Sequence, residues 1–397
     1  MHKILIYIPF IKVGGIEKIA LEYAKILSKD GYEVSFMIDY NMGAEGNKFE
    51  TLIPETVNYF YVKHIFISKI IYYFRTLGKK NKFFNIFLYI LVILTDYFYF
   101  HFKIKNKLIQ EKYTATFTFY QFLPSYLTSI KEFKNFIWLH GSIEHFFDNK
   151  IVNLFKKRFE KKLNKYDLVV STAYEMENQL KTFFPNLIKN KIVTIYNPIN
   201  YEDVLFKAKS IDTLSKEEIE LLKEKYICTV CRLDEHQKDV TTLILAYSNF
   251  IKKMPTNLKL IIVGDGVSRK DLEDLVLKLN LQNIVFFVGN QLNSNVWIDN
   301  ADIFVLSSKF EGLPTVLIEA LSMNTLIVAS DCKTGPKEIL ENEAGLLFNV
   351  GDHKSLTQIF INYSNNNINI TEKIQNAHKQ KELFSSQTIL SKLKIFL

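Results

Sequence analysis

Strand and helix signals alternate along this chain twice, once from Ile4 and again from Lys225, and that double alternation limits what it can fold into. Ile4–Pro9 is a short apolar run that reads as a buried strand. Gly14 and Gly15 turn the chain, Ile16–Ser28 repeats apolar residues at helical spacing, and Glu33–Ile38 predicts a second strand. Weaker strands follow at Thr114–Phe119, Asn135–His140, Leu168–Ser171 and Ile192–Tyr196. The second series predicts strands at Tyr226–Val230, Leu258–Val263, Ile284–Val288, Ile303–Leu306 and Leu326–Ala329. Helical stretches separate them around Thr241–Lys252, Ser268–Leu279 and Pro314–Met323. Two successive parallel α/β sheets imply two Rossmann-like domains facing each other over a cleft. A length of 397 residues, too great for one ordinary core, agrees. The expected division is 1–205 and 206–375, with 376–397 as a final helix. The polar run Lys207–Lys223 reads as the linker region, and an amphipathic Ile389–Phe396 follows the Asn- and Gln-rich stretch Asn362–Gln387.

An apolar content of 48% with 23% charged residues excludes a disordered chain. Only three cysteines occur, so no disulfide framework is implied and a reducing cytoplasm fits. Cys228 and Cys231 form one C-x-x-C, but within an apolar strand pattern and with no second ligand pair, so they read as buried thiols. The start, HKILIYIPF, is too short an apolar run for a secretory signal and lacks a small-residue cleavage site.

The segment Phe310–Leu321, FEGLPTVLIEAL, carries the most chemistry. Glu311 and Glu319 lie eight positions apart. Gly312 permits a tight backbone, and Pro314 suits the first position of a helix. Glu311 is therefore expected in the loop ahead of that helix and Glu319 about one and a half turns inside it, roughly 7–8 Å along the axis. Between them the N–H groups of Leu313, Thr315 and Val316 open at a positive helix end, where an anion is stabilised. A phosphate with a carboxylate on each side to grip hydroxyls has the outline of a nucleotide-sugar.

This segment resembles the E-x7-E element of the retaining nucleotide-sugar glycosyltransferases of family four, which have the GT-B fold. Four further runs are similar to that family and come in its order: VGGIEK near the start, CRLDEHQKD at Cys231–Asp239, VGDG at Val263–Gly266 and SDCKTGPKEIL at Ser330–Leu340. The resemblance implies that Arg232 and Lys238 bind the donor diphosphate, where leaving-group charge develops. It implies that His140 and Glu311 reach the donor sugar and that Glu319 takes the ribose hydroxyls. It also implies that the Gly14–Gly15 loop faces the donor phosphate or the acceptor, and that the final helix returns to the first domain. The family's usual glycines before the Arg and after the Lys are Cys231 and Asp239 here, which puts the local loop shape in question. Asn197 ends the last strand of the first domain and reads either as a donor contact or as a cap on the turn before Pro198. Gly264 and Gly266 shape the loop near the nucleotide, and Asp265 reads as a helix cap. No residue stands out as a dedicated nucleophile, and no DxD triplet lies in a suitable loop, so neither a metal nor another cofactor is expected.

Net charge is +8, and its location is informative. Between Tyr61 and Lys112, ten Lys or Arg face only Asp96 and Glu111, which equals the whole excess. Aromatics interleaved with lysines point to an anionic membrane surface, and no nucleic-acid motif accompanies them. Phe83–Phe102 approaches the roughly 20 residues of a spanning helix, but Asp96 and the strands on both sides favour an interfacial helix. The composition, rich in Asn, Ile, Lys and Phe, is that of a low-GC bacterium. Together these features predict a retaining, metal-independent glycosyltransferase on the cytoplasmic face of the membrane. It would carry a hexose or N-acetylhexosamine from a UDP donor to a lipid-linked saccharide or lipooligosaccharide. A non-catalytic GT-B partner subunit and a GT-B nucleotide-sugar epimerase are the alternatives.

Overall fold

A computed structural model describes residues 2–11, 14–43, 47, 50–70, 104–119, 127–148, 153 and 155–397. The chain divides into two compact units, Met1–Thr172 with Glu177–Pro198 and Ile389–Leu397, and Ala173–Met176 with Ile199–Thr388.

In the first unit, β1 (Lys3–Ile8), β2 (Glu33–Tyr40), β3 (Asn58–Lys63), β4 (Ala115–Thr118), β5 (Lys134–Leu139), β6 (Leu168–Ser171) and β7 (Ile192–Thr194) pair in parallel. Their order is β3-β2-β1-β4-β5-β6-β7. Ile4 to Ile8 are all buried, which is why β1 reads as a continuous apolar run rather than an alternation. Helix α1 (Gly15–Lys29) turns Ile19, Ala20, Tyr23, Ala24 and Leu27 into the core, the stripe its spacing predicts. Tyr23 is tied at both ends of its hydroxyl: it donates to the Tyr196 carbonyl and accepts from Trp138 Nε1 at 3.1 Å. Further along, Lys156–Leu163 forms helix α2.

Strand β3 escapes the periodicity reading because only its last two residues are buried. It also corrects the membrane-facing assignment at Lys63. That side chain is fully buried, donates to Asp39 Oδ1 at 2.7 Å and lies over the Tyr40 ring. At the far end of the same segment, Ile104 and Leu108 join the core of this unit. The stretch Phe83–Phe102, together with Lys79, Lys80 and Lys82, lies outside the described residues. No helix among the described residues is long and apolar enough to cross a membrane.

In the second unit, β8 (Tyr226–Val230), β9 (Lys259–Val263), β10 (Val285–Gly289), β11 (Ile303–Leu306), β12 (Leu326–Ser330) and β13 (Leu346–Phe348) form a parallel sheet. The order is β10-β9-β8-β11-β12-β13. The run expected to be a linker contains α3 (Lys216–Leu222), opened by a capping box between Ser215 and Glu218. It reads as polar because α3 buries none of its residues. Helix α4 (Val240–Lys253) buries Val240, Leu243, Ile244, Tyr247 and Phe250, each large apolar side chain contributing about 1.5–3 kcal/mol. Helices α5 (Arg269–Lys278) and α6 (Thr315–Ala320) follow β9 and β11. In both sheets the strand order reverses beside the first strand, between β1 and β4 and between β8 and β11. The loops leaving the carboxyl ends of such a pair diverge and leave a crevice.

Replacing Asp39 with Ala would remove the carboxylate paired with the buried Lys63 ammonium. The expected cost is about 3–5 kcal/mol, read as a lowered urea midpoint of Trp138 fluorescence in a Trp297→Phe background.

Candidate functional site

The crevice beside β8 and β11 brings together most of the residues that the sequence singles out in the second unit. Pairing of Ile303 with Ile227 and of Phe304 with Cys228 fixes the two strands side by side. The loop after β8 carries Arg232 and Lys238, and the loop after β11 carries Glu311. Lys309 N–H donates to the Gln237 carbonyl at 2.7 Å, and Ser307 Oγ donates to the Lys238 carbonyl, so the loops are stitched backbone to backbone and side chain to backbone.

Glu311 and Lys238 form a half-dry ion pair. The ammonium donates to Glu311 Oε1 at 2.5 Å, and both side chains are largely buried. Ser308 Oγ donates to the same oxygen at 2.6 Å, whereas among the described residues Oε2 has only a long 3.5 Å approach from Gln237 Nε2. One carboxylate oxygen is thus saturated and the other keeps acceptor capacity. Gln237 also accepts from the Arg232 guanidinium at 3.1 Å, and Asp234 lies 3.2 Å from it. Arg232 remains 64% exposed, so its charge is held in place while its outer face stays available. Beside it, Arg232, Asp234, Asp265, Gly266, Val267 and Asn290 line a cavity of about 560 Å³.

The two departures from the family's glycines are structurally accommodated. Asp239 has φ 48° and ψ 46°, the left-handed region that glycine enters freely and that Asp tolerates better than most residues. Cys231 needs no such conformation. Its thiol is pushed up to about 11, chiefly by burial, and burial also raises Cys228 well above the usual thiol range, so neither is a reactive thiolate.

Glycines set the approach of the neighbouring loops. Gly264 has φ +129°, and a Cβ there would lie 1.9 Å from the Cys231 carbonyl oxygen. Gly335 has φ +90°, and a Cβ there would meet the Gly312 carbonyl at 2.4 Å. The Gly335 contact presses the loop after β12 onto Gly312 and Pro314, and Thr334 Oγ1 hydrogen-bonds the Glu311 carbonyl. Pro314 stands at the N-cap of α6 rather than at its first helical position, with ψ 106°. The N–H groups of Leu313, Thr315 and Val316 donate to no group among the described residues. Glu319 is buried on α6 at the predicted depth. Asp265 does not cap α5: it accepts from Gly266 N–H and pairs with Arg269 in the first turn.

In the first unit, Gly14 and Gly15 follow β1 and open α1. A Cβ on Gly15 would meet nothing within 4 Å, and one on Gly14 would meet only the Glu17 side chain, so sterics alone do not demand either glycine. His140 follows β5 and stacks on Phe119 at 5.6 Å between ring centres. The ring keeps some surface, but Nε2 is shut from solvent with no hydrogen-bond partner among the described residues. Burial pushes this imidazole down to about 3, so it is neutral at physiological pH. Asn197 is buried, and its Oδ1 also has no partner among the described residues.

Sequence reasoning missed the residues that hold the site rather than line it: Gln237, Ser307, Ser308, Thr334 and Gly335. The last two sit in a Thr-Gly-Pro turn signal, and the Ser-Ser pair ends an apolar strand. Those were the available cues.

Two parallel α/β sheets with this strand order define the GT-B fold. A crystal structure of Anabaena HepE in complex with UDP superposes over 100% of this chain and 99% of its own, with a TM-score of 0.72 and 19% identity. Residues 210–381, within the second unit, match the family described as glycosyl transferases group 1. An uncharacterized glycosyltransferase of Methanocaldococcus jannaschii is 37% identical over 193 residues, 48% of this chain and 46% of the relative. A second relative, from Campylobacter jejuni, is 32% identical over 196 residues, 49% of this chain and 50% of its own length. It is an N-acetylgalactosamine-N,N'-diacetylbacillosaminyl-diphospho-undecaprenol 4-alpha-N-acetylgalactosaminyltransferase. Both matches thus span about half the length of the relative.

Because folded His140 resists protonation, the unfolded chain binds the extra proton between pH 6.5 and 5 and stability falls as pH falls. That group accounts for up to about 2 kcal/mol over the interval. His140→Phe should abolish this component, measured as the difference between denaturant midpoints at pH 7 and pH 5 in the two proteins.

Proposed function

We propose that this protein is a retaining, metal-independent glycosyltransferase of bacterial surface-glycan synthesis, moving a hexose or N-acetylhexosamine from a UDP donor to a lipid-linked acceptor. The observation that carries the reading is the Lys238–Glu311 pair, tied to Arg232 through Gln237 at the switch between β8 and β11. Departure of the nucleotide diphosphate builds negative charge on the leaving oxygens and positive charge on the anomeric carbon. Arg232 and Lys238 are the cations that receive the first. Glu311 holds and orients the Lys238 side chain, and its spare oxygen Oε2 takes donor-sugar hydroxyls. The N–H groups of Leu313, Thr315 and Val316 add fixed dipoles at the diphosphate, and Glu319 takes the ribose. The neutral His140 binds a sugar hydroxyl, and Asn197 Oδ1 accepts another. Gly14 and Gly15 let backbone approach the donor phosphate, with Gly264 and Gly312 setting the nucleotide loops.

The acceptor class is supported by the undecaprenol-linked substrate named for the Campylobacter relative. A peripheral position on the cytoplasmic face is supported by the charge of the segment 61–112, less Lys63. The epimerase and partner-subunit readings are disfavoured by the same observation. A non-catalytic subunit has no use for a buried lysine held against a carboxylate beside an exposed arginine.

A panel of nucleotide-sugars, each tested for hydrolysis and for protection against thermal unfolding, identifies the donor, with UDP-sugars expected to protect. Lys238→Ala should reduce transfer by about 100- to 1,000-fold, the worth of one charge-stabilising group. Glu319→Ala should chiefly weaken donor binding, by about 1.5–3 kcal/mol. Near wild-type turnover in both variants would sink the assignment. Activity should survive EDTA; complete loss restored by magnesium or manganese would show that a cation does the work assigned here to Arg232 and Lys238.

A further inference from the structure

We propose that α2, on the first unit, is a docking surface for an anionic membrane. The helix reads KKRFEKKL, and a turn at Asn164 and Lys165 follows it. Lys156, Lys157, Arg158, Lys161, Lys162 and Lys165 place six cations within ten residues. An eight-residue helix is only about 12 Å long; Lys156 lies over the Phe183 ring at 4.0 Å, and the other five charges crowd the outward patch.

A charge run is ordinarily a solvated face carrying both signs in i, i+4 pairs. This one differs in two respects. Its single acid, Glu160, is turned inward and buried, accepting from Asn186 N–H at 2.8 Å and from Asn186 Nδ2 at 3.3 Å. The outward surface is therefore purely cationic, and none of the six forms an ion pair among the described residues. The cations also oppose one another: Lys157 and Lys161, Arg158 and Lys162, and Lys161 and Lys165 stand at the i, i+4 spacing where like charges repel. Arg158 and Lys165 add to burial in lowering the Lys162 ammonium. An arrangement that costs helix stability in isolation is relieved when anions cover it.

Lipid headgroups fit better than a single phosphate ligand or a nucleic acid. The patch runs along a helix surface, and it has apolar anchors. Phe155, at the start of α2, is 54% exposed, and Ile188, whose N–H donates to Asn164 Oδ1, is 46% exposed. Cations flanked by exposed aromatic and aliphatic side chains match the interface of an anionic bilayer. The inference deepens the membrane-facing part of the proposed function, but names a site separate from the segment 61–112. It does not depend on the donor chemistry.

The test is sedimentation of the full chain, without nucleotide-sugar, with vesicles of phosphatidylcholine and phosphatidylglycerol mixed three to one. Each cation at such a surface contributes about fivefold in partitioning. The variant Lys157→Ser/Arg158→Ser/Lys161→Ser should therefore bind about a hundredfold more weakly, with unchanged thermal midpoint and unchanged donor hydrolysis. High salt should mimic it in the wild type, and Phe155→Ser should lower the binding that survives high salt. Wild-type protein that ignores these vesicles overturns the proposal. So does a triple variant that binds as wild type does, including the case where Lys79→Ser/Lys80→Ser/Lys82→Ser alone abolishes binding. Tighter binding to RNA or duplex DNA than to vesicles at about 0.1 M salt overturns it as well, since the patch would then be a nucleic-acid surface.

Discussion

Parallel pairing of β8 with β11 is the constraint on which the second unit's chemistry depends. Only two residue pairs register between these strands, yet they set the carboxyl ends of two distant segments side by side. Lys238 and Glu311 are 73 positions apart, and their short ion pair exists because the strand order reverses here. The hydrogen bonds from Lys309 to Gln237 and from Ser307 to Lys238 then lock the loops at a fixed offset. A one-residue slip of either strand would flip its side chains to the other face and separate the charges.

The pair is also an electrostatic compromise. A lysine buried without a partner would shed its proton, and a buried carboxylate without donors would take one up. Held together with the Ser308 hydroxyl, the two charges offset each other's burial while Arg232 remains largely in water. The charges are therefore graded from the dry interior to the open surface. Such grading sets an exposed cation, tethered by Gln237 and Asp234, outside a desolvated one.

Much of this was legible in the sequence, for a physical reason. Central parallel strands such as β1 and β11 are buried on both faces, so their composition alone announces them, and α1 and α4 carry their stripes at helical spacing. Glu311 and Glu319 fell on the predicted loop and helix because Gly312 and Pro314 punctuate the chain between them. The failures have causes of the same kind. Strand β3 is mostly exposed and β13 has three residues, so neither leaves a periodic trace. Helix α3 buries nothing and passed for a linker. Lys63 looked like surface charge because a sequence does not say that Asp39 lies beside it. Summing charge by segment concealed α2 in the same way, because its excess is cancelled elsewhere along the chain.

The stacked, buried imidazole of His140 has a further consequence. A ring that stays neutral carries one N–H and one lone pair, and its tautomer decides which of them occupies Nε2. It therefore carries no net charge with which to attract an anion. What it can register is the direction of a single O–H bond. A hydroxyl pointing axially and one pointing equatorially from the same ring carbon present their lone pairs and protons along different lines. Under the proposed function, a neutral histidine stacked on Phe119 would convert stereochemistry at one carbon into a hydrogen bond made or missed.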